Sequence, residues 1–152
     1  MMNHQEKNVI VWLTGQPGHG KTTLCQSLME IYKDAFHIDG DDIREIYQNK
    51  DYSETGRRKN IEIAQYLAHY MQSKGRMVFV SLVSPYEDQR EAFKSKLGSG
   101  ILEFYITTDQ IRGRENFHVQ DYQAPKSNFT LVDTSNSIEE CVAIITNKIS
   151  EL

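Results

Sequence analysis

Gly15-Gln16-Pro17-Gly18-His19-Gly20-Lys21-Thr22 is the stretch of this 152-residue sequence that decides the fold. It fits the pattern G-x-x-x-x-G-K-[ST], in which the backbone amides of a glycine-rich loop and the start of the next helix enclose phosphate groups. The residues before it, Val9 to Leu13, form a continuous apolar run typical of a strand buried on both faces. The residues after it, Lys21 to Tyr32, show helical apolar spacing. This strand–loop–helix context predicts a nucleoside triphosphate site.

Within the loop, each residue type has an expected task in binding ATP and Mg²⁺. Lys21 is expected to contact the β- and γ-phosphates and to act in catalysis, while the Thr22 hydroxyl is placed to ligate Mg²⁺. His19 occupies a variable position of the motif, where side chains normally point outward. The predicted nucleotide-binding residues of this segment are Gly15, Pro17, Gly18, His19, Gly20, Lys21, Thr22 and Thr23. The motif alone does not separate kinases from GTPase switches or other ATPases.

Strands and helices alternate along the rest of the chain. Further strands are predicted at 35–38, 77–83, 101–107 and 129–132, and further helices at 42–48, 54–73, 86–97 and 137–149, with Asp41 and Ser53 as helix caps. This order predicts an α/β fold, the P-loop NTPase three-layer sandwich, with a doubly wound, mainly parallel five-stranded sheet and helices on both faces. We expect a polar tail at 1–8 and a single domain at 9–152, in which the patternless stretch 109–128 forms a lid.

Composition and charge narrow the classes of protein. A formal net charge of −4 argues against a general nucleic-acid binder. No apolar run approaches the ~20 residues of a membrane span, and the start, Met1 to Lys7, has neither the length nor the composition of a signal peptide. We therefore expect a cytoplasmic protein. Cys25, Cys141 and the five scattered histidines show no metal-ligand spacing, so the thiols are expected to be structural.

Two acidic residues, Asp39 and Asp41, follow the second predicted strand. Because the carboxyl ends of parallel strands face the ligand crevice, both should lie next to the phosphate loop. One carboxylate there can hold Mg²⁺ through water, and another can accept the proton of an attacking hydroxyl. We expect both to be catalytic and Asp39 to serve the metal together with Thr22. The sequence leaves open which aspartate is the base, and whether Asp41 also caps a helix.

Several motifs taken together resemble the adenylylsulfate kinase family. They are Trp12-Leu13-Thr14-Gly15 leading into the loop, Asp39-Gly40-Asp41-Asp42-Ile43-Arg44, Arg57 with Asn60-Ile61, and Ser84-Pro85-Tyr86 followed by Arg90. The resemblance implies a transferase that moves the γ-phosphate of ATP to the 3′-hydroxyl of a nucleotide carrying a 5′ mixed anhydride. It also implies a small-molecule nucleotide acceptor, with a homodimer as one alternative because dimers are common in that family. No dimer surface is visible in the sequence.

The resemblance further implies which residues bind the acceptor. In that family, residues matching Arg44, Arg57 and Asn60 hold the acceptor, and an aromatic residue near Tyr52 stacks on its base. Arginine forks suit an anionic ligand and an aromatic face suits a base. The full set of expected acceptor contacts is Asp41, Arg44, Tyr52, Arg57, Asn60, Ser84, Pro85 and Phe117, with Arg90 as a further candidate. Arg58 and Lys59 are as compatible with a solvated helix face.

The lid departs from the family pattern. Relatives usually have a longer lid with Arg-Asp, Lys-Gly-Leu-Tyr and Phe-Thr-Gly-Ile motifs, which are missing here. From position alone, Arg112 and Arg114 are expected to reach the ATP phosphates, and Phe117 to replace the stacking phenylalanine. A shortened lid leaves the acceptor open between adenylyl sulfate and another 5′-modified nucleotide, such as cytidine diphosphoramidate. Alternatives of another class are a nucleotide-dependent switch, whose usual Asn-Lys-x-Asp motif is absent, and an inactive paralogue.

Overall fold

The computed structural model describes residues 4–152, so the first three residues of the predicted tail lie outside the described part. Its strands are β1 (Ile10–Thr14), β2 (Phe36–Asp39), β3 (Val78–Ser81), β4 (Ile101–Thr107) and β5 (Thr130–Asp133). Its helices are α1 (Lys21–Ile31), α2 (Gly40–Ile46), α3 (Glu54–Ser73), α4 (Glu87–Leu97) and α5 (Ile138–Ser150), with short 3₁₀ turns at Gly98–Gly100 and Glu115–Phe117. The predicted elements are all present, with ends that differ by one or two residues.

The five strands form one sheet in the order β2-β3-β1-β4-β5, and every pairing within it is parallel. Strand β1 lies at the centre, because it pairs with β3 on one side and with β4 on the other. A parallel sheet needs a crossover between neighbouring strands, and here helices fill that role. The predicted P-loop NTPase fold is confirmed, and the sheet is parallel throughout.

Apolar side chains from both faces of the sheet build two separate cores. Odd-numbered residues of β1, such as Val11 and Leu13, face α1 and α5. Even-numbered residues, Ile10 and Trp12, face α3 and α4. Burial on both faces explains why β1 is a continuous apolar run and not an alternating one. The resulting three layers leave the carboxyl ends of the strands as the edge where a ligand can enter.

The caps of α2 and α3 match the sequence prediction only in part. Ser53 caps α3 as predicted, since its hydroxyl accepts a hydrogen bond from the Gly56 amide at 3.4 Å. The prediction that Asp41 caps α2 is wrong: the helix begins at Gly40, which places Asp41 in its first turn. The helix thus begins two residues before the predicted start, at a glycine that packs against Leu82 so closely that a Cβ would lie 2.2 Å from Leu82 Cδ1.

In the part of the chain that the structure describes, no helix is both long and apolar enough to cross a membrane. Within the same residues, no cluster of three or more His, Cys, Asp or Glu side chains forms a metal site. Cys25 and Cys141 are reduced and buried in the core that faces α1 and α5.

Candidate active site

The phosphate loop connects the end of β1 to the start of α1 and has the backbone shape that its glycines permit. Gly20 precedes the helix with φ of 98°, a left-handed conformation that costs glycine little. Gly15 passes so close to β4 that a Cβ would lie 2.3 Å from the Ile106 carbonyl oxygen. Both positions therefore require glycine, and the loop amides are free to surround an anion at the helix N-terminus.

The ammonium group of Lys21 is enclosed by its own loop. Nζ donates hydrogen bonds to the carbonyl oxygens of Gly15 at 2.7 Å and Gln16 at 2.9 Å, and the residue is buried. Burial lowers the pKa of Lys21 to about 8, although the charges of Asp39 and Asp41 oppose this effect. A phosphate in the loop would supply the counter-charge that the buried ammonium lacks.

Thr22 and Asp39 form a pair of hard oxygen donors beside the loop. Thr22 Oγ1 donates to Asp39 Oδ1 at 3.3 Å, which joins the first turn of α1 to the end of β2. Neighbouring oxygen ligands of an octahedral Mg²⁺ lie about 3 Å apart, because each metal–oxygen bond is about 2.1 Å long. The two side chains therefore fit Mg²⁺, with the metal held by the hydroxyl and by the carboxylate directly or through water.

Asp39 receives a second hydrogen bond from the neighbouring strand. Ser81 Oγ donates to Asp39 Oδ1 at 2.9 Å, and Ser81 Oγ lies 2.7 Å from His37 Nε2. Burial lowers the pKa of His37, while the nearby Asp39 and Asp42 act in the opposite direction. The sequence reasoning did not identify His37 or Ser81. Ser81 could have been identified by aligning the predicted strands, since Ser81 is the register partner of Asp39.

The predicted acceptor side opens from α2 and the loop before α3. Asp41 is exposed in the first turn of α2. Arg44 Nη1 donates to the carbonyl oxygens of Asn49 at 3.1 Å and Asp51 at 3.0 Å, and its guanidinium carbon lies 4.0 Å from the centre of the Tyr52 ring. This arrangement holds Arg44 beneath an aromatic ring that is 62% exposed. The structure thus brings together the Arg44 guanidinium and an exposed aromatic face.

Helix α3 contributes residues of two kinds. Asn60 is buried, and its Nδ2 donates to the Gly40 carbonyl oxygen at 3.3 Å, which ties α3 to the start of α2. Arg57 is half-buried and makes no ion pair with any residue from 4 to 152. Arg58 instead forms a two-point ion pair with Asp88, at 2.9 and 3.0 Å. Arg58 was left open between an acceptor contact and a solvated helix face. In the structure it instead links α3 to α4.

Arg90 is not available for an anionic acceptor, which corrects the sequence-based assignment. It is 3% exposed, lies 3.6 Å from Glu103, and donates to the carbonyl oxygens of Ser84 and Gln123. Lys94 joins the same buried network through Glu103 at 2.9 Å. The guanidinium therefore fastens α4, β4 and the end of the predicted lid to one another.

Ser84 and Pro85 form part of the wall behind the crevice. The Ser84 hydroxyl is buried and accepts a hydrogen bond from Trp12 Nε1 at 2.9 Å. Its φ of 49° is unusual for a residue other than glycine. The Pro85 carbonyl oxygen accepts from the Gln123 amide at 2.8 Å. In this conformation the Ser84 side chain shapes the wall and does not reach the open crevice.

The segment 109–128, which we call the lid segment, lies against the phosphate loop. Gln16 clamps it with two reciprocal hydrogen bonds, from its Nε2 to the Val119 carbonyl oxygen at 2.9 Å and from the Val119 amide to its Oε1 at 2.8 Å. Arg114 packs on Gly18, and Phe117 remains 65% exposed beside it. The short lid segment is therefore already docked on the loop.

His19 does not point into solvent, contrary to the prediction for a variable loop position. Its ring meets that of His118 from the lid segment edge-on, with ring centres 5.1 Å apart. Burial, followed by the charges of His118, Lys21 and Arg112, lowers the pKa of His19. The neutral ring thus supplies an additional contact between loop and lid.

A cavity of about 250 Å³ adjoins the phosphate loop at the start of α1. Arg112 spans its rim, donating to the Thr134 carbonyl oxygen at 2.6 Å, and Thr134 Oγ1 in turn donates to the His19 carbonyl oxygen at 2.6 Å. The sequence reasoning missed the part of the wall that follows β5. A signal was available, because turn residues after a parallel strand face the ligand edge. The lining residues are Gly20, Thr23, Leu24, Arg112, Thr134, Asn136, Ile138 and Cys141.

Comparison with solved structures supports this reading of the fold. An APS kinase from Mycobacterium tuberculosis, solved in complex with AMPPNP and APS, aligns with a TM-score of 0.78 and 20% identity, covering 97% of this chain and 100% of that one. A gluconokinase from Sinorhizobium meliloti aligns with a TM-score of 0.69 and 13% identity, covering 97% and 94%. At these identities the similarity shows the fold alone, which kinases with different names share.

Comparison of sequences is more specific. The adenylyl-sulfate kinase of Escherichia coli is 25% identical over 156 aligned positions, which cover 96% of this chain and 78% of that protein. The sequence profile described as Adenylylsulphate kinase matches residues 7–127, from the phosphate loop through the lid segment. With its complete phosphate loop and the neighbouring aspartates, the chain is a P-loop kinase that belongs to the adenylylsulphate kinase family.

Proposed function

We propose that this protein transfers the γ-phosphoryl group of Mg²⁺·ATP to the 3′-hydroxyl of adenylyl sulfate. The observation that carries the proposal is the contact between Thr22 and Asp39, 3.3 Å apart, next to the enclosed Lys21 ammonium. It supplies a metal site and a phosphate site at one point of the crevice. The exposed Asp41 follows Asp39 by two residues, in the first turn of α2.

The donor nucleotide is proposed to occupy the loop and the adjoining cavity. The loop amides and Lys21 bind its phosphates, and the cavity of about 250 Å³ takes its base. The planar guanidinium of Arg112 suits stacking on a base at the cavity rim. Asn136 in the cavity wall offers an amide that can hydrogen-bond to base edges. Arg112, which the sequence led us to expect at the ATP phosphates, is thereby proposed to contact the base instead.

The acceptor is proposed to lie on the side of α2 and α3. Arg44 and the half-buried Arg57 attract its anionic 5′ group, Tyr52 stacks on its base, and Asn60 holds α2 at the correct distance from α3. Phe117, beside Arg114 on the lid segment, covers the acceptor from above. In this arrangement the acceptor's 3′-hydroxyl faces Asp41 and the γ-phosphate.

The chemical step is a direct phosphoryl transfer. Asp41 accepts the proton of the 3′-hydroxyl while that oxygen bonds to the γ-phosphorus and the bond to the bridging β-oxygen breaks, so ADP leaves. Lys21 stabilises negative charge on the transferring group, and Thr22 and Asp39 hold Mg²⁺. When bound, the metal neutralises charge on the β- and γ-phosphates. Positioning and electrostatic stabilisation supply most of the rate in such reactions.

Adenylyl sulfate is preferred over a cytidine acceptor because the curated relatives carry the name adenylyl-sulfate kinase. The test is ADP release from Mg²⁺·ATP with adenylyl sulfate, with AMP and with cytidine diphosphoramidate, followed by identification of the 3′-phosphorylated product. We expect turnover with adenylyl sulfate and none with AMP. Turnover only with the cytidine compound would overturn the assignment of the acceptor, and ADP release that no acceptor accelerates would overturn the kinase reaction.

A pair of neighbouring acids provides a matched control for the role of Asp41. Asp41 and Asp42 are both exposed in the first turn of α2, so their effects on the helix are alike. Asp41→Asn should reduce kcat by about 10²–10⁴, the usual contribution of a general base, with little change in ATP affinity. Asp42→Asn should leave kcat within about twofold of the wild type. Equal losses in both variants would refute the proposed base.

A further inference from the structure

A chain of four polar side chains runs from His37 on the edge strand β2 to the proposed metal site. His37 and Asp39 lie on the same face of β2, and Ser81 is the register partner of Asp39 on β3. The contacts are His37 Nε2 to Ser81 Oγ at 2.7 Å, Ser81 Oγ to Asp39 Oδ1 at 2.9 Å, and Thr22 Oγ1 to Asp39 Oδ1 at 3.3 Å. The two contacts of Ser81 have the usual length of hydrogen bonds, and the contact between Thr22 and Asp39 is longer.

The protons in this chain can be assigned from chemistry. A carboxylate only accepts, so Ser81 spends its one hydroxyl proton on Asp39. The remaining contact of Ser81 must then use an oxygen lone pair, which requires His37 Nε2 to carry a proton and donate it. His37 therefore orients the Ser81 hydroxyl, and the hydroxyl in turn fixes one oxygen of the carboxylate.

The same contacts leave the second carboxylate oxygen unused. From residue 4 to residue 152, both side-chain hydrogen bonds to Asp39 end on Oδ1. Oδ1 is thereby fixed beside Thr22 at about the spacing of two Mg²⁺ ligands, and Oδ2 keeps its lone pairs for a water bound to the metal. A carboxylate held at one oxygen has lost rotational freedom, so the other oxygen stays aimed in a single direction.

Packing alone gives no reason for this polar pair. Ser81 is 2% exposed and ends the strand sequence Val78-Phe79-Val80-Ser81, whose other residues are apolar and buried. The buried Ser81 hydroxyl and the partly buried His37 imidazole cost free energy unless they are paired, and two apolar side chains could fill the same space without that requirement. The pair is thus better explained by what it does to Asp39.

We propose that His37 and Ser81 are positioning residues that hold the Asp39 carboxylate in the orientation that binds Mg²⁺. The inference rests on the proposed function, because it takes Asp39 as a metal-binding residue of a kinase. To the proposed reaction it adds the two residues that orient the Asp39 carboxylate. Hydrogen-bonding partners of metal ligands typically contribute 10–100-fold in metal affinity or activity.

The first measurement is the binding of a non-hydrolysable ATP analogue by calorimetry, with and without Mg²⁺. In Ser81→Ala and His37→Leu we expect the increase in analogue affinity caused by Mg²⁺ to be about 10-fold smaller than in the wild type. The affinity measured without Mg²⁺ should be unchanged. His37→Gln should retain most of it, since the glutamine amide can donate from about the place of Nε2. His69→Leu, a histidine replaced on α3, is the matched control and should behave as the wild type.

The second measurement is turnover as a function of Mg²⁺ concentration. The variants Ser81→Ala and His37→Leu should need more Mg²⁺ and show lower kcat at unchanged KM for the acceptor. In an Asp39→Asn background, His37→Leu should have no further effect, because both residues act through the same carboxylate. Thermal unfolding shows that each variant is folded, and if His37→Leu does not fold, Ser81→Ala carries the test alone.

Three results would overturn the inference. They are an equal loss of metal-free affinity, a His37→Gln variant as impaired as His37→Leu, and full additivity with Asp39→Asn. The outcome is separable from that of the proposed function, since analogue binding requires no acceptor. A wild type that binds the analogue with Mg²⁺ dependence but phosphorylates no nucleotide would refute the proposed reaction and still test the positioning pair.

Discussion

Lys21 should take up a proton when nucleotide binds. Its buried ammonium has a pKa of about 8, and phosphate oxygens close to Nζ favour the charged form. With that pKa, about half of the lysines are neutral at pH 8 and about a tenth at pH 7, so binding should take up roughly 0.5 and 0.1 proton respectively. Because the protonated form binds phosphate, affinity is highest below pH 8 and should fall roughly tenfold between pH 7 and pH 9.

Calorimetry measures this uptake directly. Binding of the non-hydrolysable ATP analogue is recorded at pH 8 in two buffers of different ionisation enthalpy, at constant free Mg²⁺, and the difference in heat gives the number of protons. His19 should contribute little, since its lowered pKa keeps it neutral at this pH. Lys21→Arg is the control, because a guanidinium does not titrate here and uptake should vanish. The reasoning is refuted by a wild type that takes up no proton at pH 8, or by the same uptake in Lys21→Arg.

Three further predictions concern stability and the lid segment. Glu103→Gln leaves Arg90 without its buried counter-charge and should lower the free energy of unfolding by about 3–5 kcal/mol, measured by urea titration. A loss below about 1 kcal/mol would contradict the buried network. Gln16→Leu removes both hydrogen bonds between Gln16 and Val119, each worth about 1 kcal/mol. Hydrogen exchange of the Val119 amide should therefore accelerate roughly 30-fold. Unchanged exchange would mean that these bonds do not hold the lid segment. Ser53→Ala removes the α3 cap and should cost about 1 kcal/mol of unfolding free energy, which Ser53→Asp should restore.

Local sequence signals predicted most of the fold, including the loop between β1 and α1. The phosphate loop, the Ser53 cap and the buried strands each depend on residues close together in the chain, so composition and spacing reveal them. The predicted start of α2 was two residues late, and a local capping pattern could not show the close packing of Gly40 against Leu82, which is distant in sequence.

The errors in the site have the same origin. Arg90 was assigned to the acceptor from its place in the family motif, yet β4 brings Glu103 and the lid segment brings the Gln123 carbonyl oxygen to it. The proposed donor cavity likewise depends on Arg112 meeting the turn around Thr134. Such contacts join segments that only the complete sheet brings together: the sequence can place the turn after β5 at the ligand edge, but it does not show which side chains meet there.

The central place of β1 has a consequence for the newly made chain. Ile10 pairs with Val78 on one side and with Ile101 on the other, so β1 has both of its neighbours only after β4, the later of the two strands, has been synthesised. Closing loops of that size is entropically costly and makes folding slow. The phosphate loop, attached to β1, gains support on both sides only when β4 has been synthesised, so nucleotide binding should report on a chain in which β1, β3 and β4 are already paired.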